Sequence, residues 1–255
     1  MTTSLVNFAR YSFALALVAF ALQQVQYDSF RPLILPWPNG NTIAVYLSSA
    51  VMIAAAVGLV VARDLRWFAS LLGMATLVLF LAGHLPYELT HNLSSIGPWT
   101  NTFKVLAFAG SAFILAAAYP VKKVSKVQEA LIPFGPAMLG VFLVVCGIEH
   151  FVYLPFVNTL VPSWLPWHSF WTIFAAIALL GSGLALIFRI QVRLVAALLG
   201  IMIFLWVFMI HIPRAFAYPD LLEGNEITSV FEALAYSAVA GALAVTASPT
   251  LRLAI

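Results

Sequence analysis

The sequence predicts an all-α, polytopic membrane protein: eight transmembrane helices as two parallel four-helix repeats, with both termini cytoplasmic. Three observations predict it: a composition too apolar for water, eight runs of spanning length, and a duplication at a fixed shift. Of 255 residues, 63% are hydrophobic and 8% charged, and the mean hydropathy is +1.02. Soluble domains carry about 25% charged residues. The 12 Lys and Arg with 9 Asp and Glu found here cannot cover such a surface. A soluble enzyme, a disordered chain and a nucleic-acid binder are thereby excluded, and the lipid bilayer is the implied partner.

A spanning helix needs about 20 mostly apolar residues and satisfies its own backbone hydrogen bonds. Such runs fall at 11–27, 42–62, 66–85, 102–119, 131–151, 167–188, 193–212 and 228–247. Prolines punctuate them: Pro32, Pro36 and Pro38 with Asn39 and Gly40 in the first loop, Pro98 closing the third span, Pro120 the fourth. Pro155, Pro162 and Pro166 fill the fifth loop. Arg10, a short apolar core and Ala19-Phe20-Ala21 imitate a cleavable signal peptide. The segment has a counterpart in the second half, and is kept as a transmembrane helix.

Basic residues set the orientation. One set of alternating loops carries Arg10, Arg63, Arg66, Lys122, Lys123, Lys126, Arg189, Arg193 and Arg252; the other carries Arg31, Lys104 and Arg214. That asymmetry places both termini in the cytoplasm, and makes the pI near 9.1 a mark of topology. Trp37, Trp99, Trp164, Trp167 and Trp171 gather near the opposite face as an interfacial belt.

A shift of 127 residues superposes the halves: Arg66 on Arg193, Ala69 on Ala196, Leu71-Leu72-Gly73 on Leu198-Leu199-Gly200, His84 on His211 and Pro86 on Pro213. Leu35-Pro36-Trp37 matches Leu165-Pro166-Trp167 after a small gap. The chain therefore divides into a first repeat at 1–120, a basic cytoplasmic linker at 121–130 and a second repeat at 131–255. Four helices per unit is an even number, so the units run parallel, related by a pseudo-two-fold axis along the membrane normal. Each half is expected to be a compact bundle, with Gly58, Gly73, Gly181, Gly183 and Gly200 allowing close helix approach.

All five histidines, His84, His91, His150, His168 and His211, map to the outer face. So do Asp28, Glu88, Glu149, Asp220, Glu223, Glu226 and Glu232, leaving only Asp64 and Glu129 on the cytoplasmic side. His84 and His211 close equivalent helices, and the proline two residues on is expected to break each helix at the imidazole. Glu149 and His150 end the fifth helix where the first half has Gln23 and Gln24. One functional site and one degenerate copy would give that asymmetry.

Glu149 and His150 are the candidate catalytic pair, because an ionisable group at membrane depth is costly unless paired or used. His84, His211 and Trp167 are the candidate cofactor-binding residues. Three chemistries fit. A transition metal would take His84, His150 and His211 with a carboxylate. Haem would take two histidines from facing helices. A quinone needs hydrogen-bond donors at its carbonyls and a titratable group, which Glu149 and His150 supply. Spacing leaves all three open. Lys104 and Glu232 begin equivalent helices with opposite charge and read as an ion pair; Asp220, Glu223 and Glu226 read as a solvated acidic loop. The lone cysteine, Cys146, excludes an internal disulfide and reads as a small apolar residue.

Gly147-Ile148-Glu149-His150-Phe151, then Pro155, Val161-Pro162-Ser163-Trp164-Leu165-Pro166-Trp167, then Gly181-Ser182-Gly183-Leu184 and Arg193, resembles the DoxX-like family of small four-helix membrane proteins. The second half carries that pattern end to end; the first keeps the Leu-Pro loop and basic turn but lacks the Glu-His pair. The resemblance implies a component of a bacterial or archaeal plasma (inner) membrane associated with redox systems, and a quinone-linked oxidoreductase subunit if it is an enzyme. A periplasmic or membrane redox partner would accompany it. Two other readings compete: a non-catalytic scaffold that docks a periplasmic partner through the 215–227 loop, and a small-molecule binding or transport protein.

Overall fold

The computed structural model describes residues 2–37, 41–120 and 124–247. Pro38, Asn39, Gly40, Lys122, Lys123 and Arg252, used above for loops and orientation, lie outside the described residues. Among the described residues every regular element is helical. Eight helices are long and apolar enough to cross a membrane: α1 Thr3–Tyr27, α2 Thr42–Val61, α3 Leu65–His91, α4 Trp99–Ala117, α5 Lys126–Val152, α6 His168–Ile187, α7 Val192–Ala217 and α8 Asn225–Thr246. The chain is a multi-pass membrane protein.

The helices outrun the apolar runs at several ends, each for a local reason. Ser125 and Gln128 form a capping box that starts α5 at Lys126, so residues 126–130 of the expected linker are helical. A 3₁₀ turn at Ile132–Phe134 accommodates Pro133 inside α5. Pro98 begins α4 rather than closing α3.

Pro86 and Pro213 do not break their helices. Each follows a π-helical turn, Phe80–His84 in α3 and Val207–His211 in α7, beyond which the helix continues to His91 and Ala217. In those turns Leu85 N–H donates to Phe80 O and Ile212 N–H to Val207 O. The widened turn moves the carbonyls away from the proline ring and leaves no position for the missing donor to spoil. The imidazoles of His84 and His211 thus sit at a bulge within a continuous helix.

The helices pack as two rows, α2–α1–α8–α7 and α3–α4–α5–α6, joined at their ends by α2 on α3 and α6 on α7 and in the middle by α4 on α8 and α1. The expected pair of compact half-bundles gives way to this interlocked arrangement, in which α1 packs on α8 and α4 on α5. Aromatic rings explain the seam. Phe13 and Phe20 of α1 meet Phe108 of α4, which meets Tyr236 of α8, which meets Phe142 of α5, at centroid distances between 5.0 and 5.7 Å. One hydrophobic cluster runs through both halves.

Close approach within the second row depends on facing glycines. A Cβ on Gly140 would stand 2.6 Å from Gly183 O, and one on Gly183 would stand 2.6 Å from Gly140 O. Gly110 and Gly135 repeat this reciprocal contact between α4 and α5, at 2.6 and 2.8 Å. Gly58, Gly73 and Gly200 also face packed neighbours. Gly181 does not: nothing lies within 4 Å of its Cβ position, so its expected packing role is withdrawn.

Candidate functional site

The polar side chains gather at the bundle end opposite Thr3 and Thr246, called the distal end here. Its loops are clasped together. Arg31, only 1% exposed, reaches the Glu223 carboxylate at 2.9 Å and also donates to the Glu223 carbonyl. Its guanidinium lies over the Tyr27 ring, and Tyr27 Oη donates to Asp220 at 3.0 Å. Burial lowers the Arg31 pKa from its ordinary value, and Glu223 opposes that shift. Arg214 grips both oxygens of Glu226 at 3.0 and 2.6 Å. The three acids expected to form a solvated loop are therefore each held by an intrachain partner.

Deeper in, α4, α5 and α8 bring together a second group. Lys104 Nζ lies 2.8 Å from Glu232 Oε2, the ion pair expected from their opposite charges. Tyr236 Oη, one turn further along α8, donates to the Lys104 carbonyl at 3.1 Å. Glu149 comes within electrostatic reach of Lys104 from α5, as does Cys146 one turn earlier. Thr100 Oγ1 contacts Glu149 Oε1 and the Gly97 carbonyl, the latter at 2.7 Å. With 1.5 Å of rise per residue, Lys104 and Glu232 lie about 8 and about 10 Å below the starts of their helices. Charged groups so placed are in the hydrocarbon of any bilayer that these helices span.

The candidate histidines take separate positions. His84 is fully buried; its Nε2 donates to the Ile34 carbonyl at 3.0 Å, and its Nδ1 faces Thr102 Oγ1 at 3.5 Å. Nε2 thus fastens the first loop to α3, while Nδ1 faces α4. His211, its equivalent, makes no hydrogen bond among the described residues and lies within electrostatic reach of Lys104 and Glu226. His150 turns back along α5, donating Nδ1–H to the Cys146 carbonyl at 2.7 Å. A carbonyl only accepts, so this contact fixes the tautomer and leaves Nε2 as the basic nitrogen. Glu149 and His150 point to different sides of α5, the acid being buried against α4 and the imidazole half-buried. Trp167 caps α6 in a left-handed conformation at 78% exposure, away from the Lys104 group.

Among the described residues no three His, Cys, Asp or Glu are placed to hold a metal ion. His84, His150 and His211 are not assembled as a ligand set, and a haem iron would have to strip His84 of its bond to Ile34. A shallow cavity of about 290 Å³ at Leu93, Ser94, Ser95, Ile96, Trp99 and Phe103 has no ionisable lining and is separate from the polar group.

Gln23 and Thr228 occupy the same relation across α1 and α8 as Glu149 and Thr100 across α5 and α4. Thr228 Oγ1 donates to Gln23 Oε1 at 2.8 Å, and Gln23 Nε2 donates to the Gly224 carbonyl at 2.8 Å. Gln24 is bound differently, donating to Ser48 and Ser49 and accepting from the Arg31 amide. Thr100, Thr228 and Tyr236 escape the sequence reading, which weighs ionisable residues and overlooks hydroxyls. Extending the repeat alignment with a one-residue gap would have paired Gly97 and Thr100 with Gly224 and Thr228.

No family model, curated protein or solved structure matches the chain.

Proposed function

We propose that the protein is a DoxX-like, redox-associated component of the plasma (inner) membrane, with cytoplasmic termini, and that the distal polar group serves a quinone. The observation that carries this reading is Glu149: a buried carboxyl, bonded to Thr100, beside a lysine already paired with another acid. Ionisable groups inside a membrane protein mark proton and substrate paths more often than scaffolding. A quinone supplies a carrier of two electrons and two protons. The residues that would hold it are Glu149 and His211, both within electrostatic reach of Lys104, the His211 ring not being committed elsewhere; His150, turned to another side of α5, stands outside this group. His84 and Trp167, locked in a loop joint and exposed at a helix cap respectively, have no part in this site.

The same reading takes the chain as a tandem duplication. The packing of α1 on α2 recurs as α5 on α6, α3 on α4 as α7 on α8, and α4 on α5 as α8 on α1. The two π-helical turns start at Phe80 and Val207, at the same 127-residue shift as the sequence match. Both patterns support it.

The test is binding of decylubiquinone and menadione to detergent-purified protein, read by thermal shift and tryptophan quenching. Wild type is expected to respond, and Glu149→Gln and His211→Ala to lose the response. Undiminished binding in both variants would overturn the assignment.

A further inference from the structure

We infer that Glu149 is held as a neutral carboxylic acid, a proton-binding site within the membrane-spanning region. This goes beyond the quinone reading and does not depend on it, because the proton is counted in the chain itself.

The count starts at Thr100. Its Oγ1 lies within hydrogen-bonding distance of two oxygens, Gly97 O at 2.7 Å and Glu149 Oε1. The hydroxyl has one hydrogen, and the carbonyl has none. An ionised Glu149 would leave three crowded oxygens sharing one hydrogen. A protonated Glu149 removes the shortage: its O–H donates to Thr100 Oγ1, and Thr100 donates to Gly97 O. Each contact then carries a hydrogen.

The equivalent site in the first half behaves as this predicts. There the side chain is neutral Gln23, which accepts from Thr228 and donates to Gly224 O. Thr228 and Gly224 O have separated to 3.4 Å, since the amide now serves that carbonyl. A carboxylic acid, with one donor and one acceptor oxygen, is the acidic group nearest to an amide; a carboxylate has no donor at all.

Charge balance gives the same answer. Lys104 from α4 is 2.8 Å from Glu232 of α8, while Arg31 and Arg214 are engaged with Glu223 and Glu226. Besides Lys104, Cys146 on α5 lies within electrostatic reach of Glu149; Tyr236 on α8 faces Glu232 and Cys146, His211 on α7 faces Lys104, and Tyr153, one turn after Glu149, accepts from the Gly97 amide at 3.0 Å. α6 carries no ionisable side chain between Ser169 and Ile187. One ammonium faces two carboxyls, so a second carboxylate would be a buried charge without a counter-ion. Such groups neutralise.

The experiment is infrared spectroscopy of the full chain in dodecyl maltoside at neutral pH, in H₂O and D₂O. Dodecyl maltoside has no carboxyl group of its own. The expected result is the carbonyl stretch of a neutral carboxylic acid in wild type, moved by carboxyl-¹³C glutamate labelling. The band disappears in Glu149→Gln, stays in the exposed control Glu129→Gln, and moves to higher frequency in Thr100→Val as the acid loses its partner. Absence of the band from the wild type, its survival in Glu149→Gln or an unmoved band in Thr100→Val would each overturn the inference. If Glu149→Gln fails to fold, the move of the band in Thr100→Val assigns it to Glu149, and a labelled wild type without the band overturns the inference in any case.

Discussion

Lys104 and Glu232 join α4 to α8 through a 2.8 Å ion pair whose side chains are 16% and 6% exposed. The pair sits where the two rows of helices meet, and Glu232 Oε1 has no hydrogen-bond partner among the described residues. Removing one member of such a pair strands the other, at a cost of about 3–5 kcal/mol. Lys104→Met alone is therefore expected to lower thermal stability in detergent sharply. The double variant Lys104→Met/Glu232→Leu is expected to recover most of that loss, because apolar side chains of similar volume leave no buried charge. Additive losses in a double-mutant cycle would show that the two residues are not coupled.

His84 and His211 align in sequence yet differ in what their rings do. His84→Ala leaves the Ile34 carbonyl unsatisfied and opens a buried void, and about 2–3 kcal/mol of stability should go with it. His211→Ala breaks no hydrogen bond among the described residues and should stay within about 1 kcal/mol of wild type. Hydrogen exchange should show residues 31–37 loosened in the first variant only. Equal destabilisation by both would place the two histidines in equivalent structural roles.

The eight helices were legible because apolar runs of spanning length have no other stable solution in this composition. The pairing of Lys104 with Glu232 was legible from opposite charges at matching positions. The course of α3 and α7 past Pro86 and Pro213 was not. Proline reads as a stop, and nothing in the local sequence announces that a π-helical turn will absorb it. The separation of Glu149 from His150 was also hidden. Adjacent residues on a helix point about 100° apart, so a sequence pair is seldom a spatial one. Thr100 and Thr228 carry the geometry of the two equivalent sites, and hydroxyls are too common for sequence to single out.

Gly181 and Gly183 are two residues apart on α6 and face different surroundings. Gly183→Ala drives a methyl into the Gly140 carbonyl at 2.6 Å and into Val144 at 2.8 Å. Separating α5 from α6 should cost about 1–3 kcal/mol. Gly181→Ala meets nothing within 4 Å, and alanine is about 1 kcal/mol better than glycine in a helix interior. It should be neutral or stabilising. Thermal unfolding of the two variants side by side measures the difference, and similar losses would rule out a close crossing at Gly183.

Arg31 ties the first distal loop to the last, and the fork geometry makes the residue type matter. One guanidinium serves the Glu223 carboxylate and the Glu223 carbonyl together, while its face covers Tyr27. An ammonium is a point charge without a planar face, so Arg31→Lys should not restore the clasp. Both Arg31→Lys and Arg31→Met are expected to cost about 2 kcal/mol. The loss stays below that of a fully buried pair because the Glu223 side chain is 52% exposed. Amide exchange of 28–37 and 218–224 should rise in step in both variants, since each loop is the other's anchor. Faster exchange in one loop alone would show that Arg31 fastens only its own segment.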